Sequence, residues 1–209
     1  MADLAINAGL DRLVVWAPHD KRVQGFYDKM PISTLNPIQF FSDIFSEFKG
    51  AEDVIGVAPD KGAVTFLIPF CQGMNIRSGI ASKLRPEPEQ ATITEIIGDF
   101  KGINRAIVLD DMINTGGTID ACVKALHDEK GIQAIWLGVS HFLGSPQAIH
   151  RLQTLHEDYG LEKVIVTDSV PLTHAFLGLP YTQVRSIAGL LANAVARIHN
   201  NESIGHIIT

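Results

Sequence analysis

Apolar residues along the chain gather in short runs, separated by stretches in which they recur at helical spacing. Leu13-Val-Val-Trp16, Val54 to Ala58, Ala134-Ile-Trp-Leu-Gly-Val-Ser140 and Lys163-Val-Ile-Val-Thr167 have strand length. The third is too apolar to be half exposed, which predicts a strand covered on both faces. Ala91 to Ile97 and Arg105 to Leu109 also read as extended. Asn36-Pro37 opens an amphipathic helix with Ile38, Phe41, Ile44, Phe45 and Phe48 at helical spacing. Further helices are predicted from Ala2 to a closing Gly9, after Pro59-Asp-Lys-Gly62, through Ala121, Val123, Ala125 and Leu126, from Pro146 to Leu155, and from Ser186 to His199. Strands alternating with helices predict an α/β fold, a mostly parallel sheet of about five strands flanked by helices. Functional residues then belong at the carboxyl ends of the strands. Ser82 to Gln90, with its prolines and charges, is expected to be an irregular, mobile surface loop.

The 209 residues suffice for one sizeable core and a second small lobe. A formal net charge of −6 without a basic block argues against a nucleic-acid surface. No apolar run is long enough to span a bilayer, so no membrane partner is expected. The start, Met-Ala-Asp-Leu-Ala-Ile-Asn, lacks the basic and apolar regions of a secretory signal. The two cysteines, Cys71 and Cys122, sit in apolar contexts without metal-ligand spacing. Buried thiols in a reducing cytoplasm are the expectation.

The chemistry concentrates between Ile107 and Thr118. An apolar run meets two adjacent carboxylates, Asp110 and Asp111. A turn with Asn114 follows, then Thr115-Gly116-Gly117-Thr118, then a helix. Glycines let backbone N–H groups approach a phosphate, and a helix start adds its dipole. Thr115 and Thr118 can donate hydroxyls to the same oxygens. Two carboxylates suit the vicinal hydroxyls of a ribose, or a metal bound to them. A lone Thr-Gly-Gly would be an ordinary strand–turn–helix corner; the paired acids favour a sugar-phosphate site. The Gly-x-x-x-x-Gly-Lys pattern of a P-loop is absent from this segment.

Lys83 and Arg85, two residues apart on an extended segment, point the same way. They could clamp a transferred phosphoryl group, although by themselves two solvated cations are the favoured reading. His19 and Asp60 each end a strand, and together could hold Mg²⁺ carried by a nucleotide. Mg²⁺ prefers oxygen ligands, which makes His19 the weaker half of the pair. A surface-loop histidine and a turn-forming aspartate explain these residues equally well. His141 and Asp168 also lie at strand ends, and a structural histidine is preferred for His141.

In order along the chain, these segments resemble the ribose-phosphate pyrophosphokinase, or PRPP synthetase, family. His19-Asp-Lys-Arg-Val-Gln-Gly-Phe-Tyr27 resembles its His-x-x-x-x-Gln-Gly-Phe-Phe segment, and Val57-Ala-Pro-Asp-Lys-Gly-Ala63 its Ser/Ala-Pro-Asp-x-Gly segment. Lys83-Leu-Arg-Pro86 resembles its Lys-Arg-Arg-Pro catalytic loop, with Leu84 in place of the middle Arg. Ile97-Gly-Asp-Phe-Lys-Gly102, Val166-Thr-Asp-Ser-Val-Pro171 and the closing Arg197 to Ser203 match in turn. The stretch 107–118 resembles the phosphoribosyl-diphosphate (PRPP) loop that the family shares with type I phosphoribosyltransferases; Asn114 stands where that loop often carries Asp.

The resemblance implies a type I phosphoribosyltransferase-like fold. It implies a cytoplasmic enzyme of nucleotide biosynthesis that passes pyrophosphate from ATP to ribose 5-phosphate, giving PRPP and AMP, with Mg²⁺ as cofactor. Asp110 and Asp111 would hold ribose hydroxyls, and Asn114, Thr115, Gly116, Gly117 and Thr118 the 5-phosphate. Lys83 and Arg85 would stabilise the transition state, and His19 and Asp60 would contact Mg·ATP. The family is built from two similar halves. On that pattern residues 1–35 are a remnant of the first half and 36–209 the second. The adenine-binding part is then expected from a partner chain, in a homo-oligomer or an assembly with a second family member. Phe40, Phe41, Phe45 and Phe48 are candidates either for the surface so covered or for core. A type I phosphoribosyltransferase consuming PRPP and a non-catalytic associated subunit are the competing readings.

Overall fold

The computed structural model describes residues 2–87 and 90–205; the side chains of 83–87 and 90–94 lie outside the description. Nine strands and seven helices are formed among the described residues. In chain order they are α1 (Ala2–Asn7), β1 (Leu13–Trp16), β2 (Ile32–Leu35), α2 (Pro37–Ile44), β3 (Val54–Ala58), α3 (Val64–Met74), β4 (Arg77–Glu87) and β5 (Gln90–Gly98). There follow β6 (Arg105–Ile113), α4 (Gly117–Lys130), β7 (Ala134–Phe142), α5 (Pro146–Asp158), β8 (Leu161–Thr167), α6 (His174–Leu177), β9 (Thr182–Arg185) and α7 (Ala188–His199). Short 3-10 turns occupy Lys21–Phe26 and Ser46–Phe48.

Seven strands make one sheet in the order β5-β4-β3-β6-β7-β8-β9. Every neighbouring pair is parallel except β4–β5. The fold is therefore α/β, as the alternation of patterns predicts, with more strands than expected. Burial explains the architecture. Along β6, Ala106 and Val108 belong to one core cluster and Ile107 and Leu109 to another. Successive strand side chains point to opposite faces, so both faces of the sheet are buried. One is covered by Ile119, Cys122 and Val123 of α4 with Leu152 and Leu155 of α5. The other is covered by Phe41 of α2 with Leu67, Phe70 and Met74 of α3. Gly138 of β7 permits this second approach: a Cβ there would stand 2.6 Å from Leu109 Cδ2 and 3.1 Å from the Phe41 ring.

A separate parallel pair, β1–β2, carries the chain before residue 36. Trp16, Ala17 and Leu35 from this pair pack with Ile187 and with Ala194 of α7.

Several expectations need correction. Ser82 to Gln90 is not irregular where described: Lys83 pairs with Ile93, Leu84 with Thr92 and Glu87 with Gln90 in an antiparallel hairpin. The register shifts between Leu84 and Glu87, so Pro86 sits where the ladder is interrupted and its missing N–H is tolerated. β6 runs on to Ile113, so Asp110 and Asp111 lie inside a strand rather than at its end. The α2 helix stops at Ile44, and Phe48 falls in the following 3-10 turn. Phe41, Phe45 and Phe48 are core, with Phe45 edge-on to Phe70 and Phe48 tilted against Trp136, so they are no oligomer surface.

Candidate functional site

The carboxyl ends of β3 and β6 meet the turn after β1, and a cavity of about 560 Å³ opens between them. Asp110 through Ile119 line it without a break, joined by Asp60, Gly62, Ala63, His19, Asp20 and Arg22. Of the residues singled out from the sequence, His19, Asp60, Asp110, Asp111, Asn114, Thr115, Gly116, Gly117 and Thr118 are thus brought to one place. Lys83 and Arg85 lie on the hairpin arm of β4. That arm continues beyond Ile80, which pairs with Ala58 at the end of β3, and so passes the sheet edge that bears the cavity. Their side chains lie outside the described residues.

The two adjacent carboxylates differ. Asp110 is only 7% exposed, and its Oδ1 accepts the Asp111 N–H at 3.0 Å. Burial, then the charges of Asp111 and Asp60, push its carboxyl well above the usual range. Asp111, on the opposite pleat, is more exposed, and its Oδ2 accepts from His19 Nδ1 at 2.8 Å. That contact puts a ring hydrogen on Nδ1. Asp60 is a turn former: its Oδ1 accepts the N–H of Gly62 at 2.9 Å and of Ala63 at 3.3 Å, at the entrance to α3. Asp20 is held by Arg22, whose guanidinium keeps its carboxyl low, at about 2.

The loop itself is built from backbone. Gly116 adopts φ +75° as the cap residue before α4. This is a left-handed conformation that glycine takes at no steric cost. A Cβ there would also stand 3.4 Å from Ala148 Cα. The α4 N-terminus therefore opens onto the cavity and can receive an anion.

The lining holds more carboxylates than unpaired cations, so a phosphate ligand would need positive charge brought with it or supplied by another segment. No three His, Cys, Asp or Glu side chains among the described residues converge at metal-ligand geometry. A divalent cation that keeps most of its waters, as Mg²⁺ does, would need only one or two of these carboxylates.

Some of this was invisible in the sequence. His19 and Asp111 are 92 residues apart. A second cavity of about 320 Å³ adjoins the first, sharing His19, Gly62, Ala63 and Asp111, and adds Lys21, Gln24, Thr34, Asn36 and Thr65. Gln24 Nε2 donates to Thr34 Oγ1 at 2.6 Å within it. Gln24 lies inside the His19–Tyr27 segment, but no local signal marks Thr34 or Thr65. His141 holds Ala17 O through Nε2 at 2.9 Å and lies 2.8 Å from Ser169 Oγ through Nδ1, the structural role preferred for it. Asp168 Oδ1 accepts the Ile187 N–H ahead of α7, outside the cavity.

Residues 78–209, well over half of the chain, match the family described as the phosphoribosyl synthetase-associated domain. The chain belongs to that family. Asp110, Asp111 and the whole loop from Asn114 to Thr118 lie inside the span that matches the phosphoribosyl synthetase-associated domain, whereas His19 and Asp60 precede it. The chain is 34% identical over 207 residues to ribose-phosphate pyrophosphokinase 1 of Listeria innocua, covering 99% of this chain and 63% of that one. It is 33% identical over 209 residues to the ribose-phosphate pyrophosphokinase of Caldanaerobacter subterraneus, covering 100% and 64%. The crystal structure of phosphoribosylpyrophosphate synthetase from Mycobacterium smegmatis superposes with a TM-score of 0.80 at 31% identity, over 96% of this chain and 62% of that one. The chain thus spans just under two thirds of the length of these relatives.

Proposed function

We propose that the chain acts as a ribose-phosphate pyrophosphokinase, transferring pyrophosphate from Mg·ATP to ribose 5-phosphate to give PRPP and AMP. The observation that carries this reading is the unbroken lining of one cavity by Asp110 through Ile119, with His19 and Asp60 at the same cavity. Acids beside a glycine-rich helix start suit a ribose whose 5-phosphate rests on backbone N–H groups. In this reading Asp110 and Asp111 hold the ribose hydroxyls, and Asn114, Thr115, Gly116, Gly117 and Thr118 take the 5-phosphate. The anomeric hydroxyl of ribose 5-phosphate bonds through its oxygen to the β-phosphorus of ATP and gives up its proton to solvent, as the bond from the β-phosphorus to the oxygen shared with the α-phosphate breaks and AMP leaves with that oxygen. Lys83 and Arg85 neutralise charge on the phosphoryl group in transit, a task of positioning and electrostatics. His19 and Asp60 face the nucleotide, with His19 oriented by Asp111. Bound Mg²⁺ neutralises phosphate charge beside the acidic lining.

The same reading treats residues 1–35 as a lobe distinct from 36–209 and includes a second chain, another copy or another family member, completing the nucleotide side. Phe26, on the turn beside the cavity, is 72% exposed and offers a ring for such a chain to cover. A cytoplasmic place in nucleotide biosynthesis follows from the substrates.

Calorimetric titration of the purified chain with ribose 5-phosphate, PRPP and Mg·ATP, each alone, tests the proposal. Binding of ribose 5-phosphate and Mg·ATP, with AMP released on mixing, is expected. PRPP binding without ATP binding would replace it by a phosphoribosyltransferase reading. Binding of none of the three would leave a non-catalytic family subunit. Sedimentation with and without Mg·ATP reads the oligomer.

A further inference from the structure

The loop between β6 and α4 is tied down from one side through its carbonyl oxygens. Leu143 N–H donates to Ile113 O at 2.8 Å, and Ser145 N–H donates to Asn114 O at 3.1 Å. Arg151 Nη1, from α5, donates to Thr115 O at 2.5 Å. Three consecutive carbonyls are therefore held by the 143–151 segment, no residue of which lines the cavity. No cis peptide bond occurs among the described residues. In a planar trans peptide the C=O and the following N–H point in opposite directions. Holding the carbonyls of Asn114 and Thr115 towards α5 turns the N–H groups of Thr115 and Gly116 the other way, to the side of the cavity. Among the described residues no acceptor takes either N–H.

The Thr115–Gly116 peptide is the one most in need of an external tie. Gly116 stands at φ +75°, and glycine populates both signs of φ readily. Rotation of that peptide would swing the Thr115 carbonyl into the cavity, with its negative end towards an anion. Arg151 opposes the rotation with a charged donor, stronger than a neutral one. Its side chain also flanks the glycines: Nη1 would lie 3.6 Å from a Cβ on Gly117, and Cδ 3.8 Å from one on Gly116.

We propose that Arg151 is the positioning residue of the phosphate loop. Its guanidinium fixes the Thr115–Gly116 peptide so that the Gly116 N–H faces the bound phosphate, and it places a positive charge behind the loop. The inference deepens the ribose 5-phosphate reading above and rests on it.

Titration of the full chain with ribose 5-phosphate and with inorganic phosphate, for wild type, Arg151→Ala, Arg151→Lys and Arg151→Gln, tests it alongside thermal unfolding of each. Loss of one charge-assisted hydrogen bond corresponds to roughly tenfold or more in affinity. Arg151→Ala is expected to lose about that much for both ligands at an unchanged melting temperature. Arg151→Lys, which keeps charge and donor, should recover part of the loss, and Arg151→Gln, which keeps only a donor, should recover less. If Arg151→Ala fails to fold, the Lys and Gln variants decide between them. Wild-type affinity in every folded variant overturns the proposal while leaving the ribose-phosphate reading intact. Failure of the wild type to bind either ligand removes both.

Discussion

Asp110 and Asp111 are adjacent in sequence and opposite in environment. A strand sends one side chain into the core and the next towards the surface. The first is only 7% exposed, beside the fully buried Cys122, and the second is paired with His19. Desolvation dominates the raised carboxyl of Asp110, with the charges of Asp111 and Asp60 adding to it. A carboxyl raised on folding favours the folded state fully at pH below its unfolded value of about 3.9, and that contribution is lost as pH rises through the folded value. Asp110→Asn should therefore melt higher than wild type at neutral pH in Mg²⁺-free buffer, with the gap closing towards pH 4. The same variant should bind ribose 5-phosphate more weakly, the usual cost where a binding site holds a destabilised group. Thermal unfolding across a pH series reads the first effect and titration the second. The two acids stood out in the sequence as a pair, and the structure places both at one cavity. Their division into a buried and a paired carboxyl was not legible there, because burial depends on which helix covers the strand.

At the scale of elements, local chemistry placed the starts of helices and packing decided the rest. Asn36 accepts the Ile38 N–H through its side chain ahead of Pro37, as the Asn-Pro pair predicts. The hairpin of β4 and β5 shows the limit: its prolines and charges argue for a loop, yet the antiparallel partner supplied by the next segment makes both arms strands. Gly138 shows how tightly the layers meet. Gly138→Ala would thrust a methyl group against Leu109 and Phe41, and overpacking of this kind costs about 1–3 kcal/mol. Urea unfolding should show that loss with an unchanged m-value; full stability would mean that α2 can move away from the sheet.

At the scale of the molecule, His141 ties the end of the small parallel pair to the large sheet, alongside the His19–Asp111 contact. His141, near the end of β7, donates through Nε2 to Ala17 O, 124 residues away, and Ala17 stands at φ +39°. Apolar packing of Trp16 and Leu35 with Ile187 and Ala194 supports the same junction. His141→Ala should raise amide hydrogen exchange across 13–17 and 32–35 while β6, β7 and β8 keep their protection. Uniform loss of protection would instead mark His141 as part of the main core. Because His19 follows Ala17 by two residues, the variant should also weaken the His19–Asp111 contact and any ligand that depends on it.

By itself the sequence determined the alternation of strands and helices, the mostly parallel sheet, and the strand–turn–helix segment between Ile107 and Thr118 with its paired acids and glycines. Periodicity, caps and glycine turns are properties of consecutive residues, so they can be read along the chain. Only the tertiary structure decided that Asp111 faces His19, that Asp110 is desolvated, and that Arg151 reaches Thr115. Those are contacts between residues 36 to 92 positions apart, or the covering of one layer by another. No local pattern encodes them, because they depend on where the chain returns once its layers have packed.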